Sequence, residues 1–199
     1  MKKVKSFAIF GLPLLICSLL LTGLSTANAG HTGFRAQTGR LLVADEAIGD
    51  PRFTESVILI LQHSVTGSVG LVLNNRAELP LQGVPPEIAP GLDHIYFGGP
   101  INPQAASVLI FDQKLPGNSK KILKEVYVTG VEEALQLIEQ GKQVRYRLFL
   151  GYASWAPGQL EMELAHGVWR VLPADGHLSD ENVEQLWDDL QEGGPVISL

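Results

Sequence analysis

Two short apolar runs, residues 55–62 (ESVILILQ) and 68–74 (SVGLVLN), constrain this chain more than any other feature. The first is a continuous apolar run rich in Val and Ile and too short for a typical helix, the pattern of a strand covered on both faces, and the second is its expected partner strand. The segment between them, residues 63–67 (HSVTG), is a short Gly-containing turn, so the two runs are expected to form a hairpin.

The rest of the chain supplies more strands and a few helices. Residues 40–44 and 95–97, 106–112 (ASVLIFD), 120–128, 143–152 (QVRYRLFLGY) and 168–172 read as strands. Residues 45–52 read as a loop or single turn. Residues 77–94 contain Pro80, Pro85, Pro86 and Pro90, which forbid a central strand and discourage a helix, so a surface excursion is expected. Thr129 and Glu132 have capping-box spacing before a helix over 130–140, whose apolar positions Val131, Ala134, Leu135 and Ile138 share a face and which Gly141 stops. A second helix is predicted from Pro157 to His166 with Gly167 as its stop. A third runs from Ser179 to about Gln191, with Val183, Leu186, Trp187 and Leu190 on one side. Hairpin spacing dominates over βαβ spacing, so the expected class is α+β with a mixed sheet and about three helices.

The first 29 residues read differently. Lys2, Lys3 and Lys5 precede an almost unbroken apolar run over 7–24, and Ala27-Asn28-Ala29 follows. This is the layout of a cleavable export signal, with small residues at the positions the peptidase reads. A retained membrane anchor is the competing reading, because the run approaches the roughly 20 residues needed to span a bilayer. Cys17 lacks the small residues a lipidation site wants before it. Residues 30–38 are then a loose polar arm and 39–199 a single domain, exported to the periplasm or the medium and free of the membrane after cleavage.

Cleavage removes three lysines, no acid and the single Cys, so the formal charge of −6 becomes −9. Thiol catalysis, Cys-based zinc sites and internal disulfides are thereby closed to the mature domain. A nucleic-acid binder needs a surplus of Lys and Arg, which is absent. The composition also excludes collagen, coiled coil and long disorder.

Six segments, in one order over nearly the whole mature chain, resemble the AlgH/YqgE family of bacterial proteins. They are residues 39–44 (GRLLVA), 50–57 (DPRFTESV), 63–74 (HSVTGSVGLVLN), 98–100 (GGP), 151–164 (GYASWAPGQLEMEL) and 169–175 (WRVLPAD). The resemblance implies a compact α+β fold, largely antiparallel, with a bifurcated sheet tending to a small barrel. It implies no established activity, although one branch of the family carries a transcriptional-regulator label. This chain departs from the family in its export signal, in Asn74-Asn75-Arg76-Ala77 where relatives often have Asn-Arg-Pro, and in the absence of basic and His residues over 101–111.

Several residues can carry chemistry, each with a structural alternative. The amides of Gly98 and Gly99 can form an anion nest or simply a tight turn ahead of Pro100. Trp155, Gln159 and Glu163 bring an indole, an amide and a carboxylate to one helix start, either for a ligand or as a brace for backbone groups. His63, with Asp50 and Ser56 upstream, sketches a hydrolase triad, but neither Ser56 nor Ser154 has the Gly-x-Ser-x-Gly elbow that exposes a nucleophile. The five histidines are scattered, and only His166 and His177, with Asp175, can meet as a zinc-like set. Trp187 on the acidic last helix either docks that helix or marks a partner interface.

The leading expectation is an exported, non-enzymatic binding or interaction module without metal or cofactor, for an unknown small ligand or protein. Its site is placed where the 63–74 hairpin (His63, Asn74), the Gly98-Gly99 turn and the Trp155-Gln159-Glu163 helix start meet. A hydrolase using His63 and a carboxylate is the alternative. The regulator label is a third reading, opposed by export and acidity.

Overall fold

The computed structural model describes residues 35–77, 95–111, 119–140, 145–178 and 183–192, all within the unit spanning 32–199. The proposed signal over 1–29, most of the Pro-rich excursion and the Gly141 stop lie outside them. Strands β1 (Arg40–Ala44), β2 (Val57–Ser64), β3 (Gly67–Val72), β4 (Arg76–Ala77), β5 (Ile95–Phe97), β6 (Ile101–Phe111), β7 (Lys120–Leu123) and β8 (Val126–Thr129) are followed by helix α1 (Val131–Glu139). Then come β9 (Arg145–Trp155), helix α2 (Gln159–Ala165), β10 (Trp169–Pro173) and helix α3 (Leu186–Glu192).

The strands form one sheet in the order β10-β1-β2-β3-β9-β6-β8-β7, with β4 and β5 off this path. Every pairing among the described residues is antiparallel except β5 with β9. The sheet is bifurcated at β9. Its first half is flanked by β6 on one edge and β5 on the other, with Leu148 opposite both Val108 and Ile95. Further along, the edge that β5 held passes to β3, with Ser68 opposite Trp155.

Gly98 sits in the fork, donating its amide to the Leu150 carbonyl (2.7 Å) and accepting from the Val72 amide (2.9 Å). Here the backbones are too close for side chains. A Cβ on Gly99 (φ 147°) would lie 2.3 Å from the Tyr152 carbonyl carbon, and one on Gly151 (φ 69°) would lie 2.3 Å from the Gly99 oxygen. The sheet also curls. A Cβ at Gly39, just before β1, would come within 2.9 Å of the Ile122 oxygen on β7. It does not close into a barrel, and β10 and β7 remain its outer strands.

The continuous apolar runs are explained by coverage on both faces. Leu41, Val43, Leu59 and Leu71 face one core with Phe149 and Leu109, closed by Ala174, Leu178, Val183, Leu186 and Leu190 from the C-terminal segment. Leu42, Ile58, Ile60 and Val72 point the other way, against Trp155, Leu160 and Trp169 beside α2. A third cluster packs Val108, Ile110, Tyr127 and Leu148 on Ala134 and Leu137 of α1.

The structure changes several local expectations. Residues 120–128 form not one strand but the β7–β8 hairpin, turned at Lys124-Glu125 with Glu125 in the left-handed region (φ 60°). Thr129 does not cap α1. It is the last, buried residue of β8, paired with Val108, and the helix starts from Gly130 with no side-chain cap bond. Pro157 stays outside α2, which begins after Gly158 (φ 77°). Gly167 does end it, with Val168 N–H donating to Glu163 O and Gly167 N–H to Leu164 O, the paired bonds of a Schellman turn. The described part of the last helix opens as a 3-10 turn (Val183–Gln185) before α3, and its predicted apolar side is the buried one.

Because Gly151 combines a positive φ with a backbone oxygen where its Cβ would be, Gly151→Ala is expected to destabilise the fold by more than about 1 kcal/mol. Urea unfolding of the variant measures this, with Gly158→Ala, where a Cβ meets nothing within 4 Å, as the purely conformational control.

Candidate functional site

Segments expected to meet do meet along β9. Ser68 on the hairpin faces Trp155, and Gly99 lies against Tyr152 and Ala153. Their polar groups, however, are turned on one another. Glu163 Oε2 accepts from the indoles of Trp155 (2.8 Å) and Trp169 (2.7 Å), while Oε1 accepts from Gln159 Nε2 (2.9 Å). Gln159 Oε1 in turn accepts from the Ala156 amide (3.0 Å) at the entry to α2. The two indoles meet edge to face with centroids 6.1 Å apart, and Phe53 adds a second T-shaped contact to Trp169. One carboxylate thereby satisfies two nearly buried N–H donors that would otherwise be stranded in apolar surroundings. Gly98 is likewise engaged at both its amide and its carbonyl.

His63 is tied to different partners from those the sequence suggested. Its Nδ1 lies 2.8 Å from Ser68 Oγ, and its Nε2 faces Glu161 Oε1 on α2 at 3.5 Å. With the proton on Nε2, the ring points an N–H at the carboxylate and accepts the Ser68 hydroxyl. Ser68 is buried and Glu161 half exposed. Asp50 instead chelates Arg52, with Oδ2 2.6 Å from its terminal nitrogen, and also accepts the Arg52 amide as cap of the 3-10 turn Pro51–Phe53. Ser56 is buried, its Oγ 3.5 Å from the Thr54 carbonyl, and Ser154 is exposed on β9 opposite Val69. His166 Nδ1 lies 2.7 Å from the Met162 carbonyl. Among the described residues no three of His, Cys, Asp or Glu converge as a metal set.

Asn74 leads to a polar cleft. Its Oδ1 accepts from the Val57 amide (2.9 Å) and its Nδ2 donates to the Glu55 carbonyl (2.8 Å). That clamp secures Glu55 in the left-handed region (φ 54°), a conformation costly for a residue with a Cβ. Beside it opens a cleft of about 260 Å³, lined by the 51–56 loop, Asn74, Asn75 and, from the C-terminal segment, Glu184, Trp187 and Asp188. Trp187 donates its indole N–H to the Ala44 carbonyl (2.8 Å), and Arg76 pairs with Glu184 (3.1 Å), so the C-terminal wall is pinned to the sheet. Of the expected site residues, only Asn74 lines this cleft. Glu55, Glu184 and Asp188 were missed, since nothing local in the sequence shows that positions more than a hundred residues apart share a concavity. Trp187 was noticed, as the one large aromatic on the acidic helix.

The sequence profile of the AlgH-like family matches residues 41–195. A UPF0301 protein of Myxococcus xanthus is 37% identical over 160 residues, covering 77% of this chain and 88% of that one. One from Caulobacter vibrioides is 37% identical over 160 residues, covering 75% and 82%. Among solved structures, protein DIP2367 of Corynebacterium diphtheriae matches with a TM-score of 0.69 at 29% identity, covering 83% of this chain and 91% of that one. The AlgH protein of Pseudomonas aeruginosa matches with 0.62 at 26% identity, covering 77% and 86%.

Two outcomes follow from the geometry. Leaving a buried donor unmet costs about 1–3 kcal/mol, and Glu163→Ala strands two, so it is expected to unfold at clearly lower denaturant than the exposed Glu161→Ala. The hydrogen bond from Arg52 holds the Asp50 carboxyl below the usual carboxylate range. Its contribution is therefore complete above the ordinary Asp value of about 3.9 and is lost as pH falls through the lowered one. An NMR titration of Asp50 should show a smaller lowering in Arg52→Ala than in wild type, because the variant keeps only the backbone amide bond to the carboxylate.

Proposed function

The chain belongs to the AlgH-like family, and on that premise we propose that it is an exported, non-enzymatic binding or interaction module. The observation that supports this best is the cleft beside Asn74. A side-chain clamp holds the strained Glu55 backbone at its edge, and such strain is retained where a fixed surface has a use. Export is supported by the Lys2-Lys3-Lys5 start, the apolar run after it and Ala27-Asn28-Ala29. The mature charge of −9 favours a cationic or neutral partner over nucleic acid.

A hydrolase reading is favoured by one arrangement, the Ser68 hydroxyl, His63 ring and Glu161 carboxylate in sequence. It predicts that a fluorophosphonate probe labels Ser68 and that His63→Ala abolishes labelling. The binding-module reading predicts no labelling of the folded protein.

For the module itself, a thermal-shift screen of the protein against metals, nucleotides, sugars and basic peptides should find a stabilising ligand. Stabilisation should be lost in Asn74→Ala, which releases the clamp, when each variant is compared with its own ligand-free midpoint. Intact mass of the exported form should begin at Gly30; a mass retaining residues 1–29 in a membrane fraction would instead indicate an anchor.

A further inference from the structure

The charges around the cleft narrow its ligand. Two arginines stand beside it, and both are already neutralised within the chain, Arg52 by Asp50 and Arg76 by Glu184. The carboxylates of Glu55 and Asp188 make no hydrogen bond or ion pair among the described residues, and both residues line the cleft. The cleft is thus left with two uncompensated negative charges. Residues 159–199 carry nine of the 21 acids and one base, Arg170.

Size narrows it further. At about 260 Å³ the cleft falls below the roughly 300–1,000 Å³ of sites that enclose a small-molecule ligand. It suits one inserted side chain. Trp187 lies in the wall, its indole N–H spent on the Ala44 carbonyl, so the ring is held in place there. Thr54, Asn74 and Asn75 add neutral polar lining. A planar cation with several donors can meet two carboxylates and the neutral acceptors beside them at once, which a compact ammonium does less well.

We propose that the cleft binds a guanidinium group, the side chain of an arginine in a partner polypeptide. This rests on the binding-module reading and names the ligand class of its cleft. The partner contributes the cation. Glu55 and Asp188 receive it, Trp187 flanks it, and Asn74 holds the Glu55 backbone in place.

The test follows the three indole N–H signals of the full chain by NMR while blocked Gly-Arg-Gly peptide is added. Parallel titrations use the same peptide with neutral citrulline in place of arginine, and free arginine. The expected result is a saturable shift of the Trp187 signal with the arginine peptide, little with the citrulline peptide, and none at the buried Trp155 and Trp169. Affinity should fall at least about tenfold in the Glu55→Gln, Asp188→Asn double variant and also with added salt. Binding of free arginine equal to the peptide would keep guanidinium recognition but make a small molecule the source. Equal binding of the citrulline peptide, or binding unchanged in the double variant whose Trp155 and Trp169 signals show an intact fold, would overturn the proposal. If the arginine peptide fails while another ligand shifts Trp187, only the guanidinium assignment falls. If nothing in the wider screen binds either, the module reading falls with it.

Discussion

The structure depends on the approach of two backbones at the fork of β9. A strand has two hydrogen-bonding edges, and β9 serves three neighbours by dividing one edge between β5 and β3. The peptide groups at the changeover still need partners, because unpaired backbone polar groups in the interior are costly. Gly98 meets that need by bonding to both sides. The approach is possible because Gly99 presents no Cβ to the Tyr152–Ala153 backbone and Gly151 presents none to the Gly99 oxygen.

The fork also determines where the layers lie. The β10-β1-β2-β3 part of the sheet is covered by α2 on one face and by the C-terminal segment on the other, while the β6–β9 part is covered by α1. Docking α2 through Leu160 brings two tryptophans and a glutamate together. Glu163 then joins the indoles to the helix start, so a carboxylate expected at a binding site works as a structural acceptor. The pinning of the C-terminal segment by Trp187 and Arg76 makes the opposite wall of the cleft. One packing solution thus closes one polar constellation and opens another.

Elements whose identity depends on their own residues were legible. The apolar run of β2 announced a strand covered on both sides with β3 as its hairpin partner, Gly167 announced the end of α2, and Val183, Leu186 and Leu190 announced a docking face. Thr129 and Glu132 matched a capping pattern, but the β8 pairing with β6 claimed Thr129 first. Lys124-Glu125 lacks the glycine that usually marks a tight turn, so the β7–β8 hairpin read as one strand. The three strings first joined into a site do converge, yet their spacing could not show that Gln159, Glu163 and the tryptophans would satisfy one another.

By itself the sequence determined the α+β class, the family and the acidity, because periodicity, turn chemistry and charge are properties of short segments. Tertiary structure decided which polar groups face each other and which face outward. His63 found Ser68 and Glu161 rather than Asp50, and Asn74 found the backbone at 55–57. Glu55 and Asp188 came to line one cleft across a separation of 133 residues. The physical reason is that a hydrogen-bond partner or a concave wall is set by the packing of distant strands and helices, and no local pattern encodes that distance.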